Sequence, residues 1–310
     1  MNFVRRFGLV FIIAADASNR VGQKRDRLAG GGDTTIEPLE ADTNNTDVSR
    51  KLPRTEVTTP DASATTEHLT VEQFVIPERF KNLHESAFHG QVDFVRSLIA
   101  LGADVSEASV AGMTPLMSAV QSQNLEVVDA IVRQGVDLNR ASRTNGTTAL
   151  ILAIEYGNVD IVNYLINSGA NVNQARLDGH YPLMLTRRAE LVNALIRGGA
   201  VIDQENPNGQ TALMIASWFG RVDVVNNLIE AGADVCHTAL DGRTALMMAA
   251  GIAHVEVVKR LLEAGADVGH ATPDGRTALN IIEDLLLRTP DSPNLLAVRD
   301  ALSQIQYVLK

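Results

Sequence analysis

The chain has 310 residues, 45% of them apolar, and a net charge of −10. That is enough apolar material for a sizeable core, and an aromatic share of only 4% suits a core of Leu, Val, Ile and Ala. From residue 76 onward, 18 Lys and Arg stand against 26 Asp and Glu, an acidic balance that argues against a nucleic-acid phosphate backbone as ligand, since that needs a basic face. The single cysteine, Cys236, excludes an intrachain disulfide and a Cys-based zinc site and leaves the compartment open.

Residues 1–17 combine the positive pair Arg5-Arg6, a nearly continuous apolar run from Phe7 to Ala15, and Ala15-Asp16-Ala17, which fits a small-residue cleavage pattern. This is the pattern of a signal peptide, and the run is too short to span a membrane as a helix. The alternative reading is an apolar terminus that docks or stays disordered. The first reading implies export or secretion, the second a cytoplasmic protein. Residues 18–70 hold Gly30-Gly31-Gly32 and many Thr, Asp, Asn and Glu; so little apolar surface predicts a disordered acidic and polar linker. The repeat domain is expected over 71–310, with the more apolar 71–80 docking against the open side of its first repeat.

A unit recurs along the rest of the chain. Leucines that start a short apolar helix pattern fall at Leu83, Leu116, Leu150, Leu183, Leu213, Leu246 and Leu279, at intervals of 33, 34, 33, 30, 33 and 33. Glycines that end a second helix pattern fall at Gly102, Gly135, Gly169, Gly199, Gly232 and Gly265, in step with the leucines. Turn signals such as Asn145-Gly146, Asp178-Gly179 and Asn208-Gly209 open the units. The expected repeats lie near 80–109, 110–141, 142–175, 176–204, 205–237, 238–270 and 271–288, with a capping helix over 294–309 built on Leu296, Val298, Leu302, Ile305 and Val308. The fourth is three residues short where the others turn between helices, reading Thr186-Arg187-Arg188-Ala189 with no glycine, so either its first helix is cut short or its loop is rebuilt. Methionines at repeat spacing (Met117, Met184, Met214, Met247, Met248) read as packing.

The segments Thr114-Pro115-Leu116-Met117, Thr148-Ala149-Leu150-Ile151, Thr211-Ala212-Leu213-Met214, Thr244-Ala245-Leu246-Met247 and Thr277-Ala278-Leu279-Asn280 resemble the ankyrin repeat, whose period is about 33 residues with a T-P-L-H-x-A signature. The resemblance covers roughly residues 80 to 285. It departs from the signature in replacing Pro with Ala in most copies and in keeping the His once, at His84. It implies an all-α solenoid of about seven helix-turn-helix repeats with short β-turn fingers. In that family the His ties neighbouring loops, and the variable surface positions lie beside the turn glycine and at the end of the first helix. Carried over, the helix-end positions are Phe88-His89, Gln121-Ser122, Glu155-Tyr156, Trp218-Phe219 and Gly251-Ile252, and the turn positions are Met113, Thr147, His180, Gln210, Arg243 and Arg276.

Nothing in the sequence reads as catalytic, cofactor-binding or metal-binding. His84 and His89 are five apart, about 140° around a helix rather than on one face, and His84 sits on the repeat's own motif position. Cys236-His237 are turn neighbours with no third group to orient them. The Gly30 run lacks the strand before it and the Lys-Ser or Lys-Thr after it that a phosphate loop needs. The expected function is therefore a non-enzymatic scaffold that binds proteins, with no cofactor and no membrane span, through a concave face carrying Trp218, Phe219, Tyr156, Glu155, Phe88, His89, Ile252, Arg243, Gln210, His180 and Met113. Trp218 and Phe219 land where the fold predicts solvent, so they are expected to stand clear of the stack; the other reading is that they lean against the next loop as local packing. The alternative is an exported effector or inhibitor that binds an enzyme or host protein.

Overall fold

A computed structural model describes residues 82–308, with side chains through Gln304. The expected signal segment, the linker and the docking of 71–80 lie outside these residues. Each unit is a pair of antiparallel helices. The first helices are α1 (Leu83–Phe88), α3 (Pro115–Gln121), α5 (Ala149–Tyr156), the 3-10 turn Pro182–Leu185, α8 (Ala212–Trp218), α10 (Ala245–Ile252) and α12 (Ala278–Leu286). The second helices are α2 (Val92–Ala100), α4 (Leu125–Val132), α6 (Val159–Asn167), α7 (Ala189–Arg197), α9 (Val222–Glu230), α11 (Val255–Glu263) and α13 (Pro293–Val308). Each first helix packs on the first helix of the next unit, and each second helix on the next second helix. Among the described residues there is no strand, only an isolated antiparallel bridge between Thr238 and Thr244, and no helix is long and apolar enough to cross a membrane.

The two helix types differ because their burial differs. First helices are covered on both sides by neighbouring units, so α3 buries Pro115, Leu116, Met117, Ser118, Ala119 and Val120 in succession. Second helices keep one face in water and bury a single stripe, in α4 Val127, Val128, Ala130 and Ile131. The five repeat-spaced methionines are all buried. Threonine sets where most first helices begin. Its hydroxyl accepts an otherwise unpaired N–H from Met117, Ile151, Met247 and Asn280 at 3.2–3.4 Å. Thr211 is the exception. It caps nothing with its side chain, although it is fully buried.

Glycine sets where second helices end. After α9 the chain turns through Gly232 at φ 92°; Ala233 N–H donates to Leu228 O at 3.0 Å and Gly232 N–H to Ile229 O at 2.9 Å, a Schellman closure that needs the left-handed backbone. The expected β-turn fingers follow, each closed by a backbone bond across the turn, such as Ala239 N–H to Arg243 O at 2.9 Å. Adjacent fingers are tied in turn, Leu177 N–H to Asn145 O at 2.9 Å and Leu240 N–H to Asn208 O at 3.0 Å.

The C-terminal helix differs from the sequence expectation, and the fourth unit settles between its two expected forms. The capping helix begins at Pro293, and its buried residues are Leu295, Val298 and Leu302, so the stripe starts one residue earlier than the Leu296 register. Ile305 and Val308 lie beyond the described side chains. Helix α13 packs on both α11 and α12 and so stands where the second helix of the seventh unit belongs. In that unit Leu279 is only partly buried; among the described residues no further unit packs on α12. The fourth unit takes the shortened form: a 3-10 turn of four residues stands in place of an α-helix, and Thr186 leaves it in extended conformation.

Candidate functional site

At the C-terminal ends of the first helices the chain must turn sharply, so the last side chains project past the stacked core. Phe88, Tyr156, Phe219 and Ile252 are each 43–50% exposed and recur along this edge. Glu155 and His89 are exposed beside them. The rings of Phe88 and His89 meet edge to face, 5.3 Å apart. Trp218 differs from its neighbour and from the expectation: it is partly buried and packs against the core, while Phe219, as C-cap of α8, faces out.

The turn positions divide more sharply. Met113 packs against the core and Thr147 is buried. Gln210 accepts from Asn206 Nδ2 at 3.1 Å and is partly buried. Arg243 is exposed, 3.6 Å from Asp241, and Arg276 pairs with Asp284. His180 is partly buried, its Nδ1 3.3 Å from Asp178. Arg176 joins this finger to the helix end before it, reaching Glu155 at 2.7 Å and Asp178 at 3.4 Å. Desolvation raises the Glu155 carboxyl above the usual range, opposed by the charges of Arg176 and Arg187. The edge therefore brings Glu155, Tyr156 and His180 together through Arg176, with Phe219 further along. Met113 and Gln210 serve the packing and internal bonds of their own units.

A second row lies just behind this edge. The residues that begin the second helices reach back to the end of the preceding first helix. Asn124 Nδ2 donates to Gly90 O at 3.2 Å, Arg188 Nη1 to Gly157 O at 3.0 Å and Arg221 Nη1 to Thr186 O at 2.6 Å, and His254 Nε2 lies 3.1 Å from Trp218 O. These contacts satisfy carbonyls the first helices leave open and fix the spacing of the units. His84 spans units in the same way, with Nε2 2.9 Å from Glu107 O and Nδ1 3.2 Å from Ser118 Oγ, so it ties neighbouring loops as the resemblance implies.

Sequence reasoning missed two groups. Val110, Leu177 and Leu240, 73–95% exposed, stand at the fingertips, each two residues before its turn glycine; that fixed offset was the signal available. The other is Arg187, Arg188 and Arg221, whose proximity depends on the short fourth unit.

The comparisons agree with this architecture. Family models described as ankyrin repeats match residues 83–176, 171–239 and 241–273, more than half of the chain. The human ASB11 ankyrin repeat domain is similar at 29% identity and a TM-score of 0.61, over 72% of this chain and 96% of that one. The ankyrin repeat domain of Bcl-3, a member of the IkappaB protein family, is similar at 26% identity and a TM-score of 0.59, over 64% and 92%. A comparison with curated proteins returned no match. Ankyrin repeats are in general protein–protein interaction modules and typically non-enzymatic scaffolds. With seven stacked units, their turn fingers and these matches in register, the chain belongs to the ankyrin repeat family.

Proposed function

We propose that the chain is a non-enzymatic scaffold that binds a partner protein along the edge formed by the first-helix ends and the fingers. The observation that carries this reading is the row of Phe88, Tyr156, Phe219 and Ile252, half-exposed at the ends of the first helices, five residues after the repeat leucine for Phe88 and six for the other three. Aromatic groups placed so bury much area for few lost rotamers and dominate interfaces. Glu155, His89, His180 and Arg243 supply the polar rim. The test compares the wild type with a Tyr156→Ala/Phe219→Ala double variant in capture of partners from lysate, read by mass spectrometry, with circular dichroism monitoring the fold. Capture is expected to fall with helicity unchanged; equal capture by a folded variant overturns the proposal.

The second reading, an exported effector or inhibitor that regulates an enzyme or host protein, is favoured by the Arg5-Arg6, Phe7 to Ala15 and Ala15-Asp16-Ala17 pattern. It predicts a mature protein that starts near Ser18; a mature protein that retains Met1, by mass spectrometry, removes it.

A further inference from the structure

The stack changes character at its fourth unit. The 3-10 turn Pro182–Leu185 has four residues, beside α-helices of eight in α5 and seven in α8. Where the other first helices would continue, the chain instead runs through Thr186 into Arg187 and Arg188, both exposed. From the next unit Arg221 reaches back to the Thr186 carbonyl, and its guanidinium carbon lies 4.6 Å from the centroid of the Phe219 ring. Arg188 reaches the other way, to the carbonyl of Gly157 beside Tyr156. Three guanidinium groups and two half-exposed rings thus converge where a helical turn is missing.

The charge here is poorly matched within the protein. Arg96, Arg133, Arg176, Arg260 and Arg299 each have a carboxylate within 4.0 Å, and Arg188 has Glu190 at 3.7 Å. Among the described residues no carboxylate comes that close to Arg187 or Arg221, and Arg221 donates only to the Thr186 carbonyl. Arg143, Arg197 and Arg288 also lack a carboxylate but stand in water; Arg140, partly buried like Arg221, lacks one too and donates to Ser106 O at 2.6 Å, but only Arg221 lies at the shortened unit and against an exposed ring. Burial and the neighbouring Arg187 push its guanidinium down to about 10, so it is still a cation at neutral pH. Helices α7 and α9 follow Arg188 and Arg221 with no side-chain cap, as α2 and α11 follow Gln91 and His254, and each carries an acid in its first turn, Glu190 and Asp223.

We infer that this break in the stack anchors an acidic side chain, a single Asp or Glu in an extended peptide segment of the partner, whose carboxylate meets Arg187 and Arg221 while its sequence neighbours pack on Tyr156 and Phe219. The inference rests on the reading of the helix-end edge as the binding surface. A guanidinium fork matches a carboxylate in geometry as well as charge. Glu155 and Glu190 flank the position, so a run of acidic residues is repelled and a lone one among apolar or neutral residues fits. A polyanion such as nucleic acid meets the same acidic surroundings along its whole length.

The test uses the full chain as bait for a phage-displayed library of random linear peptides. Selected peptides are expected to share one Asp or Glu next to an aromatic or aliphatic residue. One such peptide, synthesised with a fluorophore, is then titrated by anisotropy. Arg187→Glu, at an exposed residue that holds no carbonyl in place, is expected to weaken it roughly ten-fold or more, and high salt to weaken the wild-type complex. Replacing the peptide's acid by Lys is expected to abolish binding to the wild type and to restore part of it to Arg187→Glu. A selection without binders, peptides lacking a fixed acid, or equal affinity for Arg187→Glu overturns the inference. In the last two cases, binding still lost in Tyr156→Ala/Phe219→Ala leaves the scaffold reading standing, and binding that ignores all three substitutions removes both.

Discussion

Trp218 and Phe219 are adjacent in sequence yet predicted to fail in different ways when truncated to Ala. Trp218 is partly buried on the last turn of α8 and packs against the core, and its backbone carbonyl is held by His254 of the next unit. Truncation removes roughly 100–150 Å² of apolar contact, which at about 25 cal/mol/Å² costs about 3 kcal/mol. Phe219 is 43% exposed, and the Arg221 guanidinium lies 4.6 Å from its ring centroid. A cation–π contact near the surface contributes about 0.5–1 kcal/mol, so Phe219→Ala should cost less than roughly 1.5 kcal/mol in total. Urea unfolding followed by circular dichroism measures both, and amide exchange locates the loss. In Trp218→Ala, faster exchange should appear in α8, α9 and α10, because each unit of a solenoid contacts only its neighbours. In Phe219→Ala, exchange should stay near the wild type while partner capture falls. Equal losses of stability in the two variants would refute the division of labour between the two rings.

Other consequences follow from single contacts. Gly179 has φ 80° and a methyl there would overlap the Pro207 ring, whereas Gly232, at φ 92°, has open space beside it. Gly232→Ala should cost only the left-handed backbone term, about 1–2 kcal/mol, and Gly179→Ala clearly more, by urea midpoint; equal effects would count against the finger packing. Thr148→Ala removes the bond accepted from Ile151 N–H and should cost about 1 kcal/mol, while Thr211→Val, at a hydroxyl that is buried and unbonded, should be neutral or stabilising in the same assay. The Tyr164 hydroxyl, 2.7 Å from Asp129, and then Arg133 hold that carboxyl below the usual aspartate range. Because its folded value is depressed, the stabilisation is complete above the ordinary aspartate value and fades as pH falls through the folded one. In Tyr164→Phe the Asp129 titration, followed by carboxyl NMR, should move up toward the ordinary value and acid unfolding should begin at higher pH. An unmoved titration would assign the depression to Arg133 instead.

The period of the leucines and glycines made the stack legible in the sequence, because each marks a fixed structural duty: Leu150 fills the core between units, and Gly232 turns the chain out of a helix. The helix-end row was legible by the same register. What register does not carry is where a large side chain comes to rest. Trp218 aligns with Phe88 and Glu155, which are exposed, yet its indole lies down on the stack. Nor does register carry charge compensation. Arg187 and Arg221 are 34 residues apart, and their proximity exists only once the fourth unit is built.

That unit also shows why a deletion could persist. In a globular core, three missing residues would disturb packing on every side. Here the 3-10 turn still packs on α5 and α8, and α7 still packs on α6 and α9, so the pitch is carried past the defect by its two neighbours. The cost is local and polar: Thr186 offers its carbonyl to Arg221, and the Ser217 hydroxyl, on the last turn of α8, is buried with no hydrogen-bond partner. Ser217 stands four residues after Leu213, where the units led by Leu83, Leu116, Leu150 and Leu246 place the buried apolar residues Ala87, Val120, Ile154 and Ala250. A polar group at a position otherwise reserved for core, next to the shortened helix and beside two arginines without carboxylates, is a departure from the repeat rule that packing alone does not require. Thr186, Arg187 and Arg188 of the fourth unit and Ser217 and Arg221 of the fifth gather these departures at one junction, which is where we propose that the partner's acid is anchored.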